Sequence, residues 1–160
     1  MDCDSNFDRE RAMPNRNLKL IVIAIAVLSA PVVMAADDAG QIKVVNGPVT
    51  IERAGQSMPA VTGARIQQAD TLRTGAGGSV GVTMLDNTLV SAGPNSVLVI
   101  ERYAFNSTTH QGQFDAGLRR GTLSMVSGKL AKQAPDSVRV ITPTTVLGAR
   151  GTEFHVQVTD

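Results

Sequence analysis

The chain has 160 residues with a net charge of +1, and 42% of its residues are apolar although only 3% are aromatic. A chain of this length has room for one core of ordinary size, and its balanced charge argues against nucleic acid and against an anionic membrane as general partners. Abundant Val, Leu, Ile and Ala together with 15 glycines favour short strands and tight turns over long amphipathic helices. The single cysteine, Cys3, excludes a disulfide within the chain.

Residues 13–35 have the organisation of a secretory signal peptide. Arg16 and Lys19 precede an apolar run over residues 20–33, and Val33 and Ala35 are the small residues required before a cleavage site. We therefore predict a signal helix that is cleaved near Ala35. A membrane anchor is the less favoured alternative, because the run is shorter than the ~20 residues of a spanning helix and contains Pro31. Membrane contact is expected only transiently, through a signal segment left uncleaved.

Residues 1–12 are polar and have no role in such a signal. We interpret them as a disordered upstream extension, with translation starting at Met13. In that case the mature chain would contain no cysteine, which suits an oxidising compartment.

The first predicted strands after the signal cover residues 41–46 and 48–52, joined by the hairpin dipeptide Asn46-Gly47. Their inward residues are predicted to be Ile42, Val44, Val49 and Ile51. Residues 53–63 contain Gly55, Pro59 and Gly63 and are predicted to form an exposed connection.

The remaining chain alternates between short apolar segments and turn residues. Tyr103–Gly117 is predicted to be a long surface loop, and residues 96–102 a strand buried on both faces. In the last strand, Phe154, Val156 and Val158 share one face and Glu153, His155 and Gln157 the other. The other predicted strands cover residues 65–74, 79–85, 89–92, 121–126, 129–132 and 138–142.

About ten short strands with turn signals every 8 to 12 residues predict an all-β fold. The same spacing fits a compact solenoid-like domain, in which strands stack in layers, and a sandwich-like domain. The sequence leaves this choice open.

Two arginines lie beside glycines in positions where they could hold a bend. Asp70 and Arg73 could form a charge-assisted hydrogen bond that fixes the turn beginning at Gly75. Arg150, between Gly148 and Gly151, could bind backbone carbonyls or a carboxylate such as that of Asp70 or Asp86. A structural role is favoured over a ligand-binding role at both places.

The motifs of enzymes and cofactor sites are missing from the sequence. His110 and His155 are the two histidines, and without cysteines they make a poor zinc site. No serine lies in a Gly-x-Ser-x-Gly elbow, and the glycines at residues 75–78 are not followed by the Lys-Ser/Thr of a phosphate loop. We therefore expect no catalytic residues, no metal and no cofactor.

Several short motifs stand in an order that resembles the FecR-domain family. They are Gly47-Pro48-Val49, residues 70–79, Asp86-Asn87-Thr88, residues 93–96, Gly121-Thr122-Leu123, Ser127-Gly128-Lys129, Thr142-Pro143-Thr144 and residues 148–154.

The resemblance implies a periplasmic β domain over residues 47–160, with residues 36–46 as a lead segment and first strand. The family-motif residues, expected to be structural, are Asp70, Arg73, Gly75, Gly148, Arg150, Gly151 and Thr152. Full regulators of the family carry a cytoplasmic anti-sigma segment and a transmembrane helix. We expect this chain to be a stand-alone exported copy of the domain.

The function expected from these observations is that of a non-catalytic interaction module. It would bind a periplasmic or membrane protein through an exposed strand edge or through the loop after Tyr103. One alternative is a component of cell-surface or iron-related signal transduction. Another is a cell-envelope glycan-binding protein or hydrolase, which would need a cleft with convergent polar groups.

Overall fold

The computed structural model describes residues 37–148 and 153–159. Within them it contains one short helix, α1 (Lys129–Gln133), and a 3-10 turn, Pro135–Ser137. The strands are β1 (Asp38–Asn46), β2 (Val49–Arg53), β3 (Gln56–Pro59), β4 (Arg65–Gln67), β5 (Thr71–Thr74), β6 (Ser79–Met84), β7 (Leu89–Ala92), β8 (Val97–Phe105), β9 (Gly112–Val126), β10 (Val138–Ile141), β11 (Val146–Gly148) and β12 (Glu153–Val158).

The strands form one continuous sheet that curls into a half-barrel, with the order β3-β2-β5-β8-β9-β7-β6-β1-β4. The predicted all-β fold is confirmed. The pairs are antiparallel except for β9 and β10, which run parallel. The predicted signal helix and leader fall on residues 1–36, outside the described residues. No helix within the described residues is long and apolar enough to span a membrane.

Strand β9 connects the two halves of the sheet. Its first part pairs with β8 and β10, and its second part pairs with β7 and β12. The change occurs at Gly121, which has a φ of +88°. Because glycine has no Cβ, it adopts this conformation without the steric cost of other residues.

One hydrophobic core fills the inside of the curled sheet. The alternation of inward and outward residues along each strand supplies it, as the period of two predicts. The largest completely buried side chains include Phe114, Ile42, Ile66, Leu72, Met84, Leu98, Ile100, Leu118 and Met125.

Two predictions about buried faces are wrong. Val44 is 52% exposed, because a bulge between Ile42 and Val44 shifts the register against β6 and reverses the alternation. Strand β8 is not buried on both faces: Leu98 and Ile100 are buried, whereas Val97 and Val99 are only half-buried.

Three predictions about local structure are also wrong. The predicted connection at residues 53–63 contains β3, which pairs with β2. The predicted loop Tyr103–Gly117 is a hairpin of β8 and β9, and its turn is closed by hydrogen bonds from Asn106 N to Gln111 O and from His110 N to Asn106 O. The predicted strand at residues 129–132 is α1, and β11 was not predicted.

Candidate functional site

Asp70, a predicted motif residue, is completely buried and pairs with Arg53 instead of Arg73. Arg53 donates from Nε to Oδ1 at 2.7 Å and from Nη2 to Oδ2 at 2.6 Å, and the backbone N–H of Gln67 donates to Oδ2 at 2.8 Å. The hydrogen bond with Asp70, followed by the charge of this carboxylate, raises the pKa of Arg53 against the opposing effect of burial.

The predicted pair of Asp70 and Arg73 fails because of strand geometry. Leu72 points into the core, so Arg73 points outward, where its Nε lies 2.6 Å from Oε1 of Glu52. Asp70 precedes the strand and points inward. Its contacts connect β2, β4 and β5, so its role in the structure is to hold strands together.

The other motif residues have different environments. Gly75 donates its N–H to Pro48 O at 2.9 Å, and a Cβ at Gly75 would lie 2.8 Å from Pro48 Cγ. Gly148 ends β11 opposite Arg139 and has open space around it. Arg150, Gly151 and Thr152 lie outside the described residues.

Asp86 forms a second buried network, although the sequence marks it only as part of a family motif and as a carboxylate that Arg150 could bind. Its carboxylate accepts hydrogen bonds from Thr88 Oγ1 at 2.6 Å, Thr88 N at 3.2 Å, Tyr103 OH at 3.2 Å and Leu130 N at 3.4 Å. Burial, and after it the negative charge of Asp86, raises the pKa of Tyr103. Lys129 N also donates to Asp86 O at 2.8 Å, so Asp86 accepts from the first two N–H groups of α1, which have no partner within the helix.

The outer face of the second half of the sheet carries a shallow groove of about 670 Å³. A row of aligned residues, Gly81, Ser91, Ser124 and His155, crosses it from strand to strand. His155 Nε2 lies 3.4 Å from Glu153 Oε1. The row consists mainly of small side chains on an open sheet face, and the described residues form no enclosed, water-excluding pocket around the histidine.

Four strands form the edges of the sheet within the described residues: β3, β4, β11 and β12. Three of them have features that discourage pairing with another chain: β3 ends at Pro59, β4 is three residues long and begins with Arg65, and β11 is three residues long. Strand β12 is six residues long, pairs with β9 without a bulge, and contains neither proline nor lysine.

The inner face of β12 is only half covered. Phe154, Val156 and Val158 pack against the core but remain half-buried, whereas the inward residues of β6 are at most 2% exposed. A further strand beside β12 would remove this apolar surface from water, which is favourable.

The backbone of β12 offers hydrogen-bonding groups on its open side. The backbone C=O of Thr122 in β9 accepts from Gly93 N at 3.1 Å, and its N–H donates to Ser96 Oγ at 2.9 Å. The backbone groups of Thr122 therefore face the β7 side. Backbone groups alternate sides along a strand, so Leu123 faces β12, opposite Val156. The N–H and C=O groups of His155 and Gln157 therefore point away from β9.

A groove of about 580 Å³ lies between the second half of β12 and the turn that joins β10 to β11. We call it the β12 groove. Its described lining residues are Arg119, Thr142, Pro143, Thr144, Thr145, Leu147, His155, Val156, Gln157, Val158 and Thr159. Sequence reasoning indicated an exposed strand edge in general, but the hairpin that forms the opposite wall depends on the unpredicted β11.

No group of three or more His, Cys, Asp or Glu side chains in the described part of the chain is arranged to hold a metal ion. The prediction of no metal, cofactor or catalytic residues stays a prediction.

The family model described as FecR protein matches residues 70–160 of the chain. Among solved structures, the chain is similar to one described as a cell surface anchoring domain, with 32% identity over 38% of this chain and 82% of that chain and a TM-score of 0.37. A comparison with curated proteins gave no match.

Proposed function

The chain belongs to the FecR protein family, as its motifs predicted, and from this premise we propose that it is a non-catalytic protein-interaction module of the cell envelope. The observation that carries the proposal is the open edge of β12. This strand combines exposed backbone donors and acceptors with a half-covered apolar face. An extended segment of a partner protein can add to such an edge as a further strand.

The proposed location is the periplasm, reached through the signal peptide predicted at residues 13–35. The family assignment supports an envelope-associated role. The proposed partner is a periplasmic or membrane protein. The hairpin after Tyr103 is a weaker candidate for the contact, because its turn is closed by its own hydrogen bonds.

A photo-crosslinking amino acid at Thr144, in the wall of the β12 groove, tests this proposal in growing cells. The matched control is Val61, which is 58% exposed in the connection between β3 and β4. We expect a discrete adduct with one envelope protein from Thr144 and none from Val61.

The variant Gln157→Pro removes an N–H that points into the β12 groove, so it should weaken the Thr144 adduct. Far-ultraviolet circular dichroism checks that the variant is folded. No adduct at Thr144, or an equal adduct at Val61, would contradict the proposal.

A second candidate is a component of cell-surface signal transduction, which membership of the FecR family favours. In that case the partner would be a membrane regulator, and deletion of the chain would change transcription controlled by that regulator. Transcript profiling of the deletion strain distinguishes the two candidate functions, since loss of an interaction module without a signalling role would leave the transcription controlled by that regulator unchanged.

A further inference from the structure

The charges around the β12 groove indicate which extended segment it accepts. Arg119 and His155 are the ionisable side chains among its described lining residues, and none of these described residues is a carboxylate. The apolar lining comes from Pro143, Leu147, Val156 and Val158. A bound segment would therefore meet apolar side chains on one side and a guanidinium at the end of the groove.

Arg119 has hydrogen-bonding capacity that the fold does not use. Its Nη2 lies 2.8 Å from Oε1 of Glu101, and its side chain is 53% exposed. A guanidinium carries five N–H donors in a planar fork, so one contact leaves donors open to a second acceptor. Carboxylates match this fork better than neutral acceptors do.

The position of Arg119 also follows from the strand order. Strand β10 ends opposite Gly117 of β9, and β12 reaches β9 at Gly121. Residues 118–120 of β9 therefore lie between the end of β10 and the end of β12. A segment that pairs with His155 and Gln157 would pass Arg119 at this gap.

We propose that the β12 groove binds an extended segment of a partner protein in which apolar residues alternate with polar ones and one polar residue is acidic. The backbone of the segment pairs with His155 and Gln157. Its apolar side chains cover Val156 and Leu147, and its acidic side chain binds Arg119. This inference rests on the proposed function and specifies the partner.

Labelled synthetic peptides test the inference by fluorescence anisotropy. The protein used is the chain from Ala36, because residues 35–160 form one compact unit with its own core. In the probe, valine alternates with threonine and both ends are blocked. Glutamate replaces each threonine in turn, and matched peptides carry lysine or glutamine at the same place.

We expect one glutamate peptide to bind about tenfold more tightly than its lysine counterpart, with the glutamine peptide between them. Arg119→Gln should abolish this difference but preserve binding of the glutamine peptide. Arg73→Gln is the matched control, since Arg73 is 49% exposed and paired with Glu52 on the outer face away from the groove. It should leave the preference unchanged.

Other outcomes overturn the inference in distinguishable ways. Equal binding of glutamate and lysine peptides would refute the acidic preference and leave strand addition intact. Binding of none of the peptides would contradict both. Tighter binding of a matched peptide with a free C-terminus would assign the carboxylate to a chain end, and self-association that excludes the peptides would assign the groove to a second copy.

Discussion

Arg53 donates hydrogen bonds to both carboxylate oxygens of Asp70, at 2.7 and 2.6 Å, although the two residues are 17 positions apart. The Asp70 side chain is completely buried and Arg53 is 31% exposed. Because the charge-assisted pair connects β2 to the start of β5, it holds together elements that the chain separates by two strands.

Asp70→Asn should therefore destabilise the protein although it conserves side-chain volume. The substitution removes the charge that accepts both Arg53 donors, and we expect a loss of about 2 kcal/mol, which is below the range for fully buried pairs because water reaches Arg53. Urea unfolding followed by circular dichroism measures it. Glu52→Gln, which breaks an exposed pair, is the control and should cost less than about 1 kcal/mol. Equal losses would show that Asp70 has no special role.

Tyr103 should make the fold sensitive to alkaline pH. Burial raises its pKa above the ordinary value of 10.0, so the folded state holds the phenol proton more tightly than the unfolded state does. The resulting stability is complete below the unfolded pKa and is lost as the pH rises toward the folded pKa.

Because Tyr103 is the only tyrosine of the chain, the ultraviolet absorbance of its phenolate follows it directly. We expect the phenolate to appear together with unfolding. The variant Tyr103→Phe should be less stable at neutral pH, because Asp86 N loses its acceptor, the Tyr103 OH at 3.0 Å. The stability of this variant should also lack the part of the alkaline decline that comes from ionisation of the tyrosine. Ionisation of Tyr103 near its ordinary pKa in the folded chain would contradict the prediction.

Two glycines should differ strongly in how much their substitution by alanine destabilises the protein. A Cβ at Gly121 would lie 2.5 Å from Ser96 Cα, and the φ of +88° adds backbone strain, so Gly121→Ala should cost several kcal/mol, on the order of an overpacked core position. A Cβ at Gly148 meets nothing within 4 Å, so Gly148→Ala should change stability by less than about 0.5 kcal/mol. Thermal unfolding of both variants provides the comparison, and similar melting temperatures would be inconsistent with this account of β9.

The half-covered edge predicts a difference between two phenylalanines. Phe114 is completely buried and contacts Tyr103 edge-to-face, with the ring centroids 5.4 Å apart, so Phe114→Ala should cost about 3–5 kcal/mol. Phe154 is half-buried on β12, so Phe154→Ala should lower the free energy of unfolding by about half as much as Phe114→Ala does. Urea unfolding measures both. If Phe154→Ala were as costly as Phe114→Ala, the inner face of β12 would be fully packed and the open edge would lose its support.

The sequence alone determined the fold class and most of the strands. Alternation of apolar and polar residues, and turn residues such as Asn46-Gly47, act within a few residues, so β1, β2, β6 and β7 could be predicted from local pattern. The family could also be predicted, because ordered short motifs do not depend on knowing the contacts between them.

The tertiary structure decided what local pattern could not. Asp86 accepts hydrogen bonds from Lys129 and Leu130, more than 40 positions away, and so satisfies the first N–H groups of α1, where the sequence predicted a strand. Asp115 lies in a segment that the sequence predicted to be a loop, but it is buried in β9, and Nε and Nη2 of Arg139 each lie 2.9 Å from its carboxylate. This bidentate pairing raises the pKa of Arg139.

The β12 groove is likewise a product of packing, because it exists only where the β10–β11 hairpin comes to lie beside an edge strand. Hydrogen-bond partners and open edges depend on which distant segments meet, and that information is not contained in any one stretch of sequence.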